Sequence, residues 1–280
     1  MSARAKLAGI IGWPIGHSLS PALHSYWLKE HGIAGGYIPL NISSEEFTVC
    51  VTALAQAGIA GVNVTLPHKQ AAFALAASHD EDAKATGAVN TLVFEKEKIH
   101  GLNTDMQGFA RALAESLGGN AAKAGPAVVL GAGGAARAII LALSRAGALE
   151  IRLLNRTRAR AETLATSLKP APVRVIDWAE WREAFSGARL LVNATSLGMK
   201  GAPTLDISLD NLAPEAGVVD IVYNPLQTKL LASARMRGHK TMDGLGMLMH
   251  QGAPAFAAWF GVTPKVTLEL RATLERALAP

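Results

Sequence analysis

Gly131, Gly133 and Ala136 fall at the spacing G-x-G-x-x-A directly after an uncharged run, Ala127-Val128-Val129-Leu130. The run reads as a strand buried on both faces of a parallel sheet, and the residues after the turn as the start of a helix. The first glycine permits a tight turn. The second lets backbone come close to a pyrophosphate, and the third position must be small so that helix and strand can pack. Phosphate oxygens would take the free N–H groups at the helix start, where the helix dipole favours negative charge. Gly131, Ala132, Gly133, Gly134 and Ala135 are therefore the candidate phosphate cradle. A glycine turn of some other α/β protein would share the spacing, so the next strand matters. Glu150 to Leu154 is short and apolar and ends at Asn155-Arg156-Thr157-Arg158-Ala159-Arg160. A turn that prefers NAD carries an acid about 20 residues past the glycines to hold the ribose 2′-hydroxyl. This one carries arginines, which points to a 2′-phosphate and hence to NADP. With a helix starting at Thr157, Arg156 and Arg160 are i, i+4 neighbours that could flank one phosphate. Arg158 then points elsewhere, and a solvated helix start is its simpler reading.

Lys69 is the sharpest candidate for chemistry. Gly61 to Leu66 reads as a strand with polar residues near its C-terminal end, and Pro67-His68-Lys69 starts a helix reaching about Ala77. A lysine in a first helical turn faces the positive end of the dipole, where acids are the ordinary choice. A partly desolvated amine so placed suits proton transfer; a solvated surface lysine is the alternative. Asp105, in Asn103-Thr104-Asp105, either caps a helix or serves the site. Asn63 and Thr65 read as strand-end hydrogen bonders, Ser18 and Ser20 as turn and cap, and Asn90 as a turn residue. His68 reads as a helix-start residue rather than a ligand, and there is no metal-binding spacing in the chain.

Strand and helix patterns alternate from the start, which argues for α/β architecture. Leu7 to Ile11 is a first strand, and Ser20-Pro21 opens a helix with Ser as N-cap and Pro at the first position. Tyr37 to Leu40 is extended, with Pro39 arguing for an edge, and Glu45 to Ala57 is helical. Thr91 to Phe94 and Ile99 to Leu102 pair as a hairpin, a helix runs from near Asp105 to Leu117, and Gly118 to Pro126 is the clearest turn-and-linker stretch. Strands follow near Val173 to Ile176, Leu190 to Asn193 and Val218 to Val222. Leu245 to Phe260 is a strongly apolar helix, and Thr263-Pro264 caps a final one. The expected organisation is an N-terminal α/β substrate domain, 1–105 with 245–280, around a Rossmann-like doubly wound domain, 106–244. The last two helices are expected to return to the first domain, leaving a cleft between the two.

The chain of 280 residues is long enough for two domains, since one core seldom grows past roughly 250–300 residues. Half the residues are hydrophobic and 18% are charged, an ordinary globular composition. No apolar run approaches the ~20 residues of a membrane span, and the N-terminal apolar segment is too short for a signal peptide. Cys50 is the only cysteine, which rules out a disulfide framework and makes the cytoplasm the default. The net charge of +5 suits an anionic small substrate and a phosphorylated cofactor. Dispersed basic residues and 5% aromatics give no platform for nucleic acid.

Motifs spread over almost the whole chain resemble, in order, those of the shikimate dehydrogenase family. They are Gly16-His17-Ser18-Leu19-Ser20-Pro21, Asn63-Val64-Thr65-Leu66-Pro67-His68-Lys69, Gly87-Ala88-Val89-Asn90-Thr91 and Gly101-Leu102-Asn103-Thr104-Asp105. The glycine turn and Asn155-Arg156-Thr157 follow, then Asn193-Ala194-Thr195-Ser196-Leu197-Gly198-Met199 and Asp220-Ile221-Val222-Tyr223-Asn224-Pro225. Gly244-Leu245-Gly246-Met247-Leu248 and Gln251-Gly252-Ala253 close the series. The resemblance implies reversible NADPH-dependent reduction of 3-dehydroshikimate to shikimate, by a monomer or homodimer. It implies that Ser18 and Ser20, with Tyr223, hold the substrate carboxylate, that Thr65, Asn90 and Gln251 bind ring hydroxyls, and that Lys69 and Asp105 are the catalytic pair. On the cofactor side it implies Gly131 to Ala135 at the pyrophosphate, Asn155, Arg156, Thr157, Arg158, Ala159 and Arg160 at the 2′-phosphate end, and Ile221 and Gly244 by the nicotinamide. Glu81 matches an acidic position near the cofactor. Two competing readings share these motifs: a quinate/shikimate dehydrogenase that accepts NAD, and a non-catalytic metabolite sensor. The absence of an acid at 155–160 argues against the first, and the presence of both Lys69 and Asp105 against the second.

Overall fold

Two six-stranded sheets organise the chain in the computed structural model, which describes residues 5–96 and 98–278. The chain divides into two compact units, Met1–Thr104 with Met249–Pro280, and Asp105–Leu248.

The first unit begins with β1 (Lys6–Gly12), α1 (Ser20–Glu30), β2 (Gly35–Asn41), α2 (Phe47–Gln56), β3 (Gly61–Val64) and α3 (Lys69–Leu75). It continues with β4 (Ser78–His79), α4 (Glu81–Thr86), β5 (Thr91–Glu95) and β6 (Lys98–Leu102). The strand order is β2-β1-β3-β5-β6-β4. β1 is parallel to both β2 and β3, whereas β5 runs antiparallel to β3 and β6. Pro39 lies on β2, an edge strand, where its missing N–H leaves no ladder bond unmade. The mixed directions have one consequence for function. The C-terminal ends of β1, β3 and β6 and the N-terminal end of β5 all lie at one edge of the sheet, because Ile11 pairs Val64, Asn63 pairs Thr91 and Thr91 pairs Leu102.

Several boundaries differ from those the sequence suggests. Ser20 is the first residue of α1 and not its cap; Leu19 occupies the cap position without a side-chain bond. The hydroxyl of Ser18 accepts from the Ser20 N–H at 3.2 Å, which satisfies that donor and lets the helix begin one residue early. β4 and α4 have no counterpart in the sequence reading, since two and six residues are too few to show a period. Their signal is in the caps: Asp80 Oδ1 accepts from Ala83 N–H at 2.6 Å, and Gly87 ends α4 in the left-handed region at φ 59°.

The second unit runs α5 (Asp105–Leu117), a 3₁₀ turn (Ala121–Lys123), β7 (Ala127–Leu130), α6 (Gly134–Arg145), β8 (Ile151–Leu154), α7 (Arg158–Ser167) and β9 (Val173–Ile176). A second 3₁₀ turn (Trp178–Glu180) and α8 (Trp181–Phe185) lead to β10 (Leu190–Asn193), β11 (Gly217–Asp220), α9 (Lys229–Met236) and β12 (Thr241–Met242). All strands are parallel, in the order β9-β8-β7-β10-β11-β12. Counted from β7 this is 3-2-1-4-5-6, the doubly wound nucleotide-binding order, and the order reverses between β7 and β10. The central strands β7, β10 and β11 are buried at every residue, as sheets covered on both faces require. Phe109, Ile139 and Leu143 belong to one core, Phe185, Leu209 and Leu231 to another. The stretch 118–126 is no inter-unit linker: it lies within the second unit and buries Ala122.

α10 (Gly244–Phe260) crosses the division between the units, and α11 (Leu268–Leu278) lies in the first. α11 starts later than Thr263-Pro264 suggests, because the hydroxyl of Thr267 accepts from Leu270 N–H at 3.1 Å and is the working cap. The segment 249–278 is stitched into the first unit. Trp259 Nε1 donates to the Leu92 carbonyl at 3.0 Å, Trp27 Nε1 to the Lys265 carbonyl at 3.1 Å and Lys6 Nζ to the Trp259 carbonyl at 3.0 Å. A β-carbon on Gly252 would lie 2.6 Å from Leu23 Cδ2, so glycine sets the approach of α10 to α1.

His24 sits at the centre of that packing. Its ring stacks on Tyr37 at 4.1 Å and meets Trp27, Phe256 and Trp259 within 6 Å. It is fully buried, and neither ring nitrogen has a hydrogen-bond partner among the described residues. Burial pushes the imidazole down to about 3, against an opposing pull from the Asn63 side chain. The unfolded chain therefore binds a proton that the folded one refuses between pH 6.5 and about 3. This contribution to stability is whole above pH 6.5 and is lost as the pH falls, at no more than about 1.4 kcal/mol per pH unit. His24→Phe is expected to flatten the decline of the urea midpoint below pH 6.5 relative to the unaltered protein; parallel curves for the two proteins would contradict this.

Candidate active site

The edge of the first sheet gathers most of the polar residues that the sequence singles out. Thr65 follows β3, and its N–H donates to the Ile11 carbonyl at 2.9 Å. A β-carbon on Gly12 would lie 2.6 Å from Thr65 Cγ2, so the loop leading to Ser18 starts against Thr65. Trp13 N–H also donates to the Leu66 carbonyl at 3.1 Å. Ser18 is half-buried and Ser20 buried. The Ser18 oxygen accepts from Ser20 N–H, which leaves its own O–H available as a donor.

Lys69 opens α3, as the charge argument requires, and is half-buried. The preceding His68 is buried, stacks on Phe47 at 4.8 Å and donates from Nε2 to the Ile42 carbonyl at 2.8 Å. The imidazole is thus a structural anchor for the helix start. The Lys69 carbonyl accepts from Val89 N–H at 2.9 Å, which ties the lysine to the loop that ends at Asn90.

Asn90 is more than a turn residue. It is buried, its Oδ1 accepts from Thr104 N–H at 2.9 Å and from the Thr91 hydroxyl at 3.1 Å, and its Nδ2 donates to the Thr104 hydroxyl at 2.9 Å. Asn63 donates to the Asn90 carbonyl and to the Thr91 hydroxyl, and accepts from the Tyr37 hydroxyl at 2.7 Å. Asn103 donates to the Thr86 hydroxyl and the Ala88 carbonyl, while its N–H is held by Asp80. These bonds lock the loops on either side of Asn90 and fix the chain up to Thr104. Asp105, the next residue, is buried and is the first of α5 and of the second unit. Gln251 lies on α10 in the first unit, beside Gly252. Glu81 is exposed in the first turn of α4.

In the second unit the glycine turn is built as its spacing predicts. Gly131 has φ 106°, and a β-carbon there would lie 2.8 Å from Thr195 Cγ2 and 3.0 Å from the Ala194 carbonyl, so only glycine fits. Gly133 is the N-cap of α6, and a β-carbon on it would meet nothing within 4 Å. Packing within the chain does not require glycine there, whereas an anion drawn close to the helix start does. Ala136 is buried, as the third position of the motif demands.

The turn after β8 differs in one respect from its sequence reading. α7 begins at Arg158, so Arg156 precedes the helix and is no i, i+4 neighbour of Arg160 on it. The reason is local: Asn155 Nδ2 donates to the Thr157 carbonyl at 2.8 Å, and Thr157, the cap, stays extended. Arg156 and Arg160 are both exposed. Arg158 is turned to Glu162 at 2.8 Å and Asp177 at 3.8 Å.

Asn193 and Asp220, which end β10 and β11, are polar residues to which the motifs alone give no role. Both are buried. Asp220 accepts from Asn193 Nδ2 at 3.0 Å, Val222 N–H at 3.1 Å and the Thr228 hydroxyl at 2.7 Å. Burial nonetheless pushes its carboxyl up to about 6. A polar residue closing an otherwise apolar parallel strand was the available signal, since ligands bind at that end of such sheets.

A family model described as the shikimate dehydrogenase substrate-binding domain matches residues 10–92, and one described as shikimate / quinate 5-dehydrogenase matches residues 112–200. A relative from Rhodospirillum rubrum, named shikimate dehydrogenase (NADP(+)), is 50% identical over 98% of both chains. The chain belongs to the shikimate dehydrogenase family. Members of that family with solved structures share its fold. Shikimate 5-dehydrogenase from Thermus thermophilus, solved with NADP(H) and shikimate, matches with a TM-score of 0.84 at 37% identity over 98% of both chains. Quinate dehydrogenase from Corynebacterium glutamicum, solved with NAD, matches with a TM-score of 0.88 at 31% identity, over 98% of this chain and 99% of that one. Among the described residues no helix is long and apolar enough to cross a membrane.

Proposed function

We propose that the protein interconverts 3-dehydroshikimate and shikimate with NADPH/NADP, as an oxidoreductase of aromatic amino-acid biosynthesis. What carries this reading is the presence, in a chain related over nearly its full length to NADP-dependent shikimate dehydrogenase, of both an arginine-bearing turn after β8 and the Lys69–Asn90 cluster. The cradle from Gly131 to Ala135 would take the pyrophosphate on the N–H groups that open α6. Asn155, Arg156, Thr157 and Arg160 would take the 2′-phosphate end, and Ile221 and Gly244 would flank the nicotinamide. When bound, NADPH supplies the hydride.

The chain supplies binding, orientation and a proton. Ser18 and Ser20, with Tyr223, would donate to the substrate carboxylate; Thr65, Asn90 and Gln251 would bind its hydroxyls. As the carbonyl carbon is reduced, negative charge grows on its oxygen. Lys69 would stabilise that charge and deliver the proton, and Asp105 would orient the ammonium. The hydrogen bonds between Asn90 and Thr104 would hold Asn90 in place during the reaction. The single cysteine suits a reducing compartment, the cytoplasm.

The likeness to quinate dehydrogenase supplies a second reading, NAD-dependent oxidation of quinate. The absence of any acid from Asn155 to Arg160 favours NADP. Absorbance at 340 nm distinguishes the two. It should rise with shikimate and NADP and rise far more slowly with shikimate or quinate and NAD. No rise with shikimate and either cofactor would refute the assignment.

A further inference from the structure

The ends of β10 and β11 are tied together by one hydrogen-bond system, buried at Asp220. Asn193 stands at its centre. Its Oδ1 accepts from Thr195 N–H at 3.1 Å and the Thr195 hydroxyl at 2.7 Å, and its Nδ2 donates to the Leu197 carbonyl and to Asp220. Thr195 and Ala194 lie against Gly131, the first glycine of the nucleotide turn. From Asp220 the system passes to Val222 N–H and to Thr228, which caps α9 by accepting from Leu231 N–H. The far side of the same loop is closed by Gly244: its N–H donates to the Val222 carbonyl at 3.2 Å, and a β-carbon there would lie 2.0 Å from the Ile221 carbonyl oxygen. The Asn224 carbonyl accepts from Lys200 N–H at 2.8 Å, which ties the loop after β11 to the loop after β10. Ile221 and Tyr223 are carried on it.

We propose that Asp220, paired with Asn193, is a positioning residue for hydride transfer: it sets the Ile221–Tyr223 loop in register with the glycine turn. This rests on the reading of the site given above and deepens it. Neither side chain touches the reactants; they act through the loop. A carboxylate serves here because two oxygens must accept from three separate donors, and no neutral residue of that size offers as many acceptors. Burial pushes its carboxyl up even though all three donors favour the charged form, so a carboxylate is held here against its desolvation. Asparagine keeps an oxygen for Val222 N–H and Asn193 and turns its amide toward Thr228. Alanine leaves Val222 N–H, Asn193 and Thr228 without their acceptor.

The test compares Asp220→Ala and Asp220→Asn with the unaltered protein in steady-state kinetics, with binding of adenosine 2′,5′-bisphosphate measured by calorimetry. That probe covers the adenosine end of the cofactor and does not reach the nicotinamide loop. Asp220→Ala is expected to lower kcat by 10–100-fold and raise KM for shikimate, with the bisphosphate Kd unchanged within twofold. Asp220→Asn should recover most of the lost kcat. Should the alanine variant fail to fold, Thr228→Val removes one of the three donors, and a kcat 3–10-fold lower with unchanged bisphosphate binding supports the proposal. Kinetics within twofold of the unaltered protein for the alanine variant, or for Thr228→Val where the alanine variant does not fold, overturn the positioning role. Loss of bisphosphate binding in proportion to kcat does the same, by showing that the unit as a whole has loosened. Absence of turnover in the unaltered protein would instead overturn the underlying assignment of function.

Discussion

Lys69→Ala is expected to lower kcat for shikimate oxidation by roughly 10²–10⁴-fold, the range of a lost general acid–base group. KM for shikimate should move much less, because Ser18, Ser20, Thr65, Asn90 and Gln251 would still hold the substrate. The asymmetry follows from when the ammonium is needed: charge on the reacting oxygen is largest in the transition state. The fold should survive. The start of α3 is held by backbone bonds, Val89 N–H to the Lys69 carbonyl and Ala72 N–H to the His68 carbonyl, which alanine retains. The His68 anchor to Ile42 is likewise untouched. Removing a cation from a helix N-terminus also relieves an unfavourable dipole interaction. Single-turnover kinetics with substrate deuterated at the transferred position are the decisive measurement, since slowed chemistry should expose an isotope effect. A variant with the original kcat and a raised KM would make Lys69 a binding residue only.

The second large effect concerns cofactor choice. Replacing both Arg156 and Arg160 by serine is expected to weaken NADP binding by about 10²–10⁴-fold, allowing about 1.5–3 kcal/mol for each charge-assisted bond. NAD binding should change little, since it has no 2′-phosphate. Both side chains are exposed, so the loss carries no penalty in packing. Arg158→Ser should behave differently: its guanidinium is engaged by Glu162 and Asp177, and the variant should retain most of its NADP affinity. Fluorescence titration with both cofactors checks all of this. Equal losses for NADP and NAD would show that the arginines support the turn rather than read the phosphate.

What could be read in advance divides along physical lines. The doubly wound sheet was legible because its central strands are buried on both faces and show as uncharged runs, and because Gly131 and Gly133 have a stereochemical reason for their spacing. The hairpin of β5 and β6 was legible for a similar reason, a charged turn between two patterned runs. Helix starts were less so. At Ser20, Arg158 and Leu268 the deciding bond is made by a neighbour one to three residues away, and several polar side chains nearby would have served equally on sequence grounds. Lys69 could be picked out because its charge conflicts with its place on a helix. The hydrogen bonds of Asn90 and Asp220 could not be foreseen, since both depend on partners that only the topology brings near. Asn90 is oriented by Thr104 across a hairpin, and Asp220 by Asn193 from the adjacent strand.

The stitching of residues 249–278 into the first unit has a consequence for how the chain is made. Trp259 bonds to Leu92 and Lys265 to Trp27, so strands and helices formed from the first hundred residues lack part of their core until the last thirty have been synthesised. Residues 105–248 form the second unit without interruption and depend on no later segment for their sheet. At roughly 5–20 residues per second, the ribosome leaves the first-made half waiting on the order of 10 s while the middle of the chain emerges. Vectorial synthesis thus reverses the order in the sequence: the nucleotide-binding half can close first, and the half that begins the polypeptide closes last. During that interval the apolar face that His24, Trp27 and Tyr37 later share with Phe256 and Trp259 is open to chaperones and to other nascent chains.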